Sequence, residues 1–129
     1  MLGLKEHFIP YLDQYGIEAH CPDVVQTLSE NELVKIVPQF DGWIIGDDPA
    51  TAKVFKAGAA GSLKAVVKWG IGVDNVDFEA CRRLNIPVTN TPDMFGDEVA
   101  DMAWGYVIAL ARETFFIDRK IRDKGWPKN

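Results

Sequence analysis

The residues best suited to chemistry lie at the end of the apolar segment "AVVKW" and just after it. Lys68 belongs to that segment, and Gly70 and Gly72 follow it. Glycines in this position let backbone amides approach a ligand without interference from a Cβ atom, and outward-facing amides suit a small carboxylate. Lys68 could add a positive charge. The spacing therefore indicates a site for a small organic anion, while a tight strand-to-helix turn with Asp77 as helix cap is the alternative.

The same glycines do not complete a dinucleotide-binding fingerprint. The pattern G-x-G-x-x-G needs a third glycine where the helix packs against the strand, and Asn75 occupies that position. Asp74 and Asp77 lie where helix amides would face the phosphates, and their carboxylates would repel an anion. The sequence therefore predicts no pyrophosphate site here.

Composition and charge limit the class of protein. The 129 residues include 14 basic and 19 acidic side chains, and the net charge of −5 disfavours binding to nucleic acid or to an anionic membrane surface. No apolar run is long enough to cross a bilayer, and the first residues carry charges where a signal peptide would be apolar. A cytoplasmic globular protein is expected. Its cysteines and histidines match no metal-binding spacing, so no metal site is expected: Cys21, Cys81, His7 and His20.

The elements that must position the glycine loop begin with a helix. Apolar residues at helical spacing predict this helix over residues 4–15. The segment "IEAHC", residues 17–21, is a strand candidate that Pro22 would end. Ser29 and Glu32 match the capping-box pattern and predict a second helix that ends near Val37.

Strands and helices then alternate along the chain. Residues 43–45 and the segments "LKAVVKW" and "IPVTN" are short apolar runs typical of strands, and "VDFEACRRL" is typical of a helix. Asp48 is a plausible N-cap for the helix after the first of these strands, with Pro49 at its first position. This alternation predicts an open α/β domain with a doubly wound parallel sheet covered on both faces.

The last predicted helix begins near Asp97 and is apolar on more than one side. A helix of this kind has to be buried on most sides, and one small domain can cover only part of it. Either the helix forms a homodimer, or a second domain packs on it. Its apolar residues include Val99, Met102, Trp104, Tyr106, Val107, Ile108, Leu110, Phe115 and Phe116.

From about Asp41 to Arg112 the sequence resembles the D-isomer-specific 2-hydroxyacid dehydrogenase family, which includes the phosphoglycerate dehydrogenases. The resemblance is carried by "GIGVDNVD", by "NIPVTNTP" and by a long helix that opens with "VAD". The final "IRDKGW" is similar to a short segment that follows this helix in the family. Three motifs in the right order over more than half of the chain make the resemblance specific.

The resemblance implies the N-terminal substrate-binding domain of a two-domain enzyme. It implies a flavodoxin-like fold that lacks its first strand, with residues 1–96 as a truncated substrate-binding domain. Residues 97–129 would form an interdomain helix and the start of a dinucleotide-binding domain. That second domain would bind NAD or NADP and supply the catalytic Arg, Glu and His. No catalytic residue is therefore expected in this chain, which by itself should be inactive.

The resemblance also implies roles for residues of this chain. Gly70, Ile71 and Gly72 would hold the substrate carboxylate, and Ile71 would also touch the nicotinamide. Lys68 matches a position that is often a substrate-binding Arg, and Phe95 lies where some members contact substrate or cofactor.

One departure from the family bears on the substrate. Many phosphoglycerate dehydrogenases have an Arg after the strand that corresponds to "GWII", where this chain has Gly46, Asp47 and Asp48. Carboxylates there would repel a phosphate by about 1 kcal/mol each. A simple 2-hydroxy or 2-keto acid is therefore the expected substrate.

Two other functions are compatible with parts of the pattern. A signalling receiver domain is also doubly wound, but Asp47 and Asp48 lack the further acidic and basic partners that it needs. A non-catalytic interaction module, in which the last helix builds a homodimer, remains the alternative function.

Overall fold

The computed structural model describes residues 5–126. Within this range the chain forms six helices and three strands: α1 (Lys5–Asp13), α2 (Glu30–Ile36), β1 (Gly42–Ile45), α3 (Ala52–Ala60), β2 (Ala65–Lys68), α4 (Phe78–Arg83), β3 (Val88–Asn90), α5 (Gly96–Ala111) and α6 (Thr114–Arg122). A short 3-10 turn, Val37–Gln39, follows α2. The first predicted helix is confirmed as α1, although Leu4, where the prediction begins, lies outside the described residues.

The three strands form one parallel sheet in the order β1-β2-β3. Residues opposite one another in the register share a face, so Ile45, Lys68 and Asn90 form one row across the sheet. Parallel strands place their carboxyl ends at the same edge, so the three loops that follow the strands lie together there. The predicted α/β class with a parallel sheet is confirmed.

The hydrophobic core lies between one face of this sheet and the helices α2, α3 and α4. On the opposite face Ile44 is 44% exposed, so the cover predicted on both faces of the sheet does not extend over β1 within the described residues. The alternation of buried and exposed residues along β1 and β2 has the period of two expected of half-covered strands. The core side chains are Leu33, Val37, Ile45, Ala50, Val54, Phe55, Leu63, Val66, Val76, Ala80, Cys81 and Ile86.

Helix caps fix where two of the core helices begin. The capping box at the start of α2 is confirmed, because the Ser29 side chain accepts from the Glu32 amide and the Glu32 carboxylate accepts from the Ser29 amide. The N-cap predicted for α3 is wrong. Thr51, three residues after Asp48, accepts from the Val54 amide.

Asp48 has another role, and Pro49 lies before α3 rather than at its first position. The Asp48 Oδ1 atom accepts a hydrogen bond from the Leu28 amide at 2.9 Å. This bond holds the segment before α2 against the loop after β1. The carboxylate therefore joins two segments that are 20 residues apart.

The strand predicted over residues 17–21 is wrong, since this segment has no regular secondary structure. A strand needs a neighbour that accepts and donates its ladder hydrogen bonds. Among residues 5–126 the sheet consists of β1, β2 and β3, and residues 17–21 pair with none of them. The apolar alternation of the segment therefore lacks a partner in this structure.

The helix predicted from Asp97 begins at Gly96 and is interrupted after Ala111. Glu113 adopts a left-handed conformation with φ of 52°, and α6 starts at the next residue. Helices α5 and α6 contact each other, and neither contains a buried residue. The division into domains at residues 96 and 97 stays a prediction.

Candidate functional site

A cleft of about 410 Å³ lies at the carboxyl edge of the sheet. The loops that follow β1 and β2 form its walls. In open α/β sheets this edge is the usual place for a ligand. The lining residues are Asp47, Lys68, Trp69, Gly70, Gly72, Asp74 and Asn75.

Lys68 is the last residue of β2 and is 5% exposed. Its Nζ atom donates to the Gly46 carbonyl oxygen at 2.5 Å and lies 3.5 Å from Asp47 Oδ1. A buried ammonium is tolerated only when it is paired and hydrogen-bonded, and both conditions hold here. The expected positive charge is therefore present at the cleft, already engaged by two groups of the β1 loop.

The glycine loop has one position that only glycine readily occupies. Gly70 has φ of +140°, and its amide donates to Thr91 Oγ1 at 2.9 Å. That amide is consequently occupied by the loop after β3 and is not a free donor to a ligand. Gly70 shapes the wall of the cleft.

The next two amides differ from that of Gly70. Within residues 5–126, the backbone N–H groups of Ile71 and Gly72 donate to no protein acceptor. Gly72 also lines the cleft. The free Gly72 amide lies in the wall of a cleft that Lys68 also lines, and such an amide can donate to a carboxylate oxygen. Binding of a substrate carboxylate by Gly70, Ile71 and Gly72 stays a prediction.

Asn75 is the residue that sequence reasoning missed. Its Nδ2 atom donates to the Gly46 carbonyl at 3.0 Å and to the Asp48 carbonyl at 2.8 Å, and its own carbonyl accepts from the Ala50 amide at 2.9 Å. The side chain thus ties the β1 loop to the β2 loop across the cleft. The sequence signal for this role is an asparagine in a glycine loop, but the sequence does not show which groups its side chain bonds.

The alternative interpretation of the glycines, a turn with Asp77 as the helix cap, is confirmed in its cap. Asp77 Oδ1 accepts from the Ala80 amide at 2.8 Å at the start of α4. A carboxylate in that place fills the position that a phosphate would need. The Asp77 carboxylate would therefore compete with a phosphate for the amides at the start of α4.

Two of the predicted contact residues lie outside the lining of the cleft. Ile71 is 45% exposed, and its carbonyl accepts from Asn90 Nδ2 at 3.1 Å. Phe95 is 38% exposed and occupies the N-cap position of α5 without a side-chain cap bond. Contact of Ile71 with a cofactor and of Phe95 with a substrate stay predictions.

Trp69 brings the first helix to the cleft. Its ring contacts that of Phe8 in an edge-to-face arrangement, with centroids 6.1 Å apart. Helix α1 therefore lies beside the lining residues. Over residues 5–126 there is no cluster of three or more metal-ligating side chains, and no helix in that range is long and apolar enough to cross a membrane.

A parallel sheet with helices packed on it and a cleft at its carboxyl edge defines this chain as an open α/β protein. The sequence profile of the D-isomer specific 2-hydroxyacid dehydrogenase family, catalytic domain, matches residues 2–121. The chain belongs to this family, and the resemblance seen in the sequence is confirmed.

Individual relatives agree with this assignment. The chain is 39% identical over 126 residues to a glyoxylate reductase of Thermococcus onnurineus, covering 97% of this chain and 34% of the relative. It is 32% identical over 122 residues to a D-3-phosphoglycerate dehydrogenase of Synechocystis, covering 91% of this chain and 22% of the relative. The chain therefore spans about a third or less of the length of these relatives.

Solved structures share the fold. A protein of Thermus thermophilus superposes with a TM-score of 0.77 at 29% identity, over 95% of this chain and 39% of that one. The NAD⁺-bound 3-phosphoglycerate dehydrogenase of Entamoeba histolytica superposes with a TM-score of 0.64 at 27% identity, over 83% of this chain and 34% of that one. The flavodoxin-like α/β fold is thereby confirmed.

Proposed function

We propose that this chain is the substrate-binding part of an NAD- or NADP-dependent oxidoreductase that acts on a small D-2-hydroxy or 2-keto acid. The observation that carries the proposal is a cleft lined by both the Lys68 ammonium and the Gly72 amide, which, like the adjacent Ile71 amide, donates to no protein acceptor within residues 5–126. Relatives named glyoxylate reductase and hydroxypyruvate reductase support this substrate class.

The residues of this chain bind and orient the acid. The amides of Ile71 and Gly72 hold the substrate carboxylate, and Lys68 contributes positive charge from one side. Positioning of this kind supplies a large part of catalysis when the reacting atoms are held in register with a reaction partner. The reaction is hydride transfer between C2 of the acid and a nicotinamide, with the hydroxyl proton released on oxidation.

The described residues do not fit the dinucleotide itself. The third glycine of the fingerprint is replaced by Asn75, and Asp77 caps α4. The proposal therefore assigns NAD or NADP mainly to a different domain, with the catalytic Arg, Glu and His, and leaves Ile71 as the one nicotinamide contact here. A cytoplasmic location accompanies it, in keeping with the free thiols of Cys21 and Cys81.

Binding and turnover are tested separately. Titration with glyoxylate, followed by NMR, should shift the amide resonances of Ile71 and Gly72. Lys68→Met, which keeps the aliphatic stem and removes the charge, should weaken binding about tenfold. Absence of any shift at these amides would contradict the proposed site.

Turnover by the 129-residue chain alone should be absent. A mixture of the chain, glyoxylate and NADH or NADPH should show no loss of absorbance from the reduced nicotinamide beyond the rate without protein, because an anion site without the catalytic groups cannot activate the keto oxygen. Reduction of glyoxylate by the purified chain would show that this assignment of catalytic groups is wrong.

One observation favours a second candidate function. Helix α5 exposes large apolar side chains, among them Trp104 at 67% and Leu110 at 72%. Patches of this kind mark interaction sites. A non-catalytic module that forms a homodimer through α5 would use this surface, and it would not need the free amides of Ile71 and Gly72.

A further inference from the structure

The charges that line the cleft are unequal in number. Asp47 and Asp74 contribute two carboxylates, and Lys68 is the one basic residue among the lining residues. Each free carboxylate repels an incoming anion. This repulsion is stronger in a cleft that is partly shielded from water than in bulk solvent. The lining residues of the cleft therefore carry a net negative charge, and Lys68 is the one cation among them.

The single cation is also partly neutralised before a ligand arrives. The Lys68 side chain is 6% exposed and lies 3.5 Å from Asp47 Oδ1, whereas the Asp47 side chain is 78% exposed. A carboxylate of the ligand has to share Lys68 with Asp47. Asp47 thus acts as an internal competitor for the ammonium.

Only one anionic group of a ligand can pair with a cation among the lining residues. The free amides of Ile71 and Gly72, with Lys68, can receive one carboxylate. A second anionic group on the same small molecule would find Asp47 or Asp74 and no second cation among the lining residues. Leaving a charge near carboxylates without a partner is unfavourable.

We propose that Asp47 is a specificity-determining residue that restricts the cleft to monoanionic 2-hydroxy and 2-keto acids and rejects dianionic ones. This inference rests on the proposed function, since it concerns the same cleft. It separates the chain from relatives named D-3-phosphoglycerate dehydrogenase, whose named substrate carries a phosphate in addition to its carboxylate.

The charge law gives the proposal a quantitative signature. Coulomb energy is proportional to the product of the two charges at a given distance, so for two ligand carboxylates at similar distances from Asp47, removing the Asp47 charge should help a dianion by about the square of the factor for a monoanion. Asp47→Asn should therefore tighten binding of a monoanion about threefold and of a dianion about tenfold.

The test uses two acids of similar size. D-glycerate is a monoanion, and tartronate carries a second carboxylate in place of the CH2OH group. Dissociation constants are measured at about pH 7.5, where both acids are fully ionised, by NMR titration of the Ile71 and Gly72 amides for the wild-type chain and for Asp47→Asn. Asp101→Asn, on exposed helix α5, makes the same change in net charge away from the cleft and serves as the control.

The wild-type chain should bind D-glycerate at least about fivefold more tightly than tartronate. Asp47→Asn should reduce this preference about threefold, and Asp101→Asn should leave it unchanged. Equal or tighter binding of tartronate by the wild-type chain, or an unchanged preference in Asp47→Asn, would overturn the proposal. Loss of all shifts with both acids would instead refute the proposed function, and the specificity proposal with it.

Discussion

At the scale of single residues, Asn75 joins the two loops that form the cleft. Its amide satisfies the carbonyl oxygens of Gly46 and Asp48. Replacing Asn75 with alanine should lower the free energy of unfolding by about 2 kcal/mol, because each net hydrogen bond contributes roughly 1 kcal/mol and the freed carbonyls are partly buried. Urea denaturation followed by circular dichroism measures the difference.

A matched control is available in the same region. Asn90→Ala removes one exposed hydrogen bond, from Asn90 Nδ2 to the Ile71 carbonyl. The expected loss is about 0.5 kcal/mol. If Asn75→Ala costs no more than Asn90→Ala, the two loops do not depend on Asn75.

Cys81 is a second residue with a testable property. Burial, and then the nearby carboxylate of Asp77, raise the pKa of the Cys81 thiol to about 11. At about pH 8 roughly one thiol in a thousand is then ionised, and the thiolate is the reactive form. In a Cys21→Ser variant, Cys81 should not react with a thiol-specific disulfide reagent on the time scale of seconds until urea unfolds the chain.

The raised pKa also fixes the sign of a pH dependence. The folded chain holds the thiol proton more tightly than the unfolded chain, so this contribution to stability is complete below about pH 9 and is lost as the pH rises toward 11. The difference in unfolding free energy between the Cys21→Ser chain and its Cys81→Ala derivative should therefore narrow above about pH 9. Rapid reaction of folded Cys81 at about pH 8, or a difference that grows with rising pH, would contradict the assigned environment.

At the scale of elements, the end of α3 depends on a close approach between backbones. A Cβ atom at Gly61 would clash with the backbone and carbonyl oxygen of Pro38, in the turn after α2. Gly61→Ala should therefore destabilise the fold by about 2 to 3 kcal/mol, as expected for overpacking at a rigid contact. Thermal and urea unfolding of the variant give the magnitude.

The control substitution lies inside α5. A Cβ at Gly105 would have no atom within 4 Å, so Gly105→Ala should add helix propensity and stabilise α5 by about 1 kcal/mol. Opposite signs for the two alanine substitutions are the expected outcome. A Gly61→Ala chain as stable as the wild type would show that α3 and the turn after α2 do not pack as described.

The elements that the sequence could predict are those with local signals. The capping box of Ser29 and Glu32 and the turn capped by Asp77 involve residues three positions apart, so the pattern contains the whole interaction. The prediction of Asp48 as the N-cap of α3 is wrong because Asp48 is bonded to Leu28, 20 residues away. A pairing at that distance in sequence leaves no periodic signal.

The candidate site shows the same limit. Glycine spacing located the loop, and the position of Lys68 predicted a charge at the cleft. The sequence could not show that Thr91 occupies the Gly70 amide or that Asp47 competes for Lys68, because those contacts arise only when the ends of parallel strands meet. The roles of Ile71 and Phe95 stay predictions, because neither residue lines the cleft.

At the scale of the whole molecule, the exposed apolar side chains of α5 predict that this helix binds a partner. Self-association is the form of binding that can be measured with the purified chain alone. Val99, Tyr106 and Leu110 fall on one side of the helix, at 65%, 54% and 72% exposure. Burying such side chains gains roughly 25 cal/mol for each Å² of apolar area. The purified chain should therefore sediment with the mass of two chains at micromolar concentration.

Charged substitutions on the side of α5 that carries Val99, Tyr106 and Leu110 distinguish a dimer formed through α5 from a dimer formed through another surface. Tyr106→Glu combined with Leu110→Glu should convert the dimer to a monomer, because two carboxylates would be buried without partners. Val25→Glu, at an exposed apolar residue far along the chain from α5, introduces one of the same charges and should leave the dimer intact. A wild-type chain that is monomeric at all accessible concentrations would contradict the predicted homodimer. The partner of α5 would then be something other than a second copy of this chain. A dimer that survives the double substitution would place the interface on another surface, such as the exposed face of the sheet around Ile44.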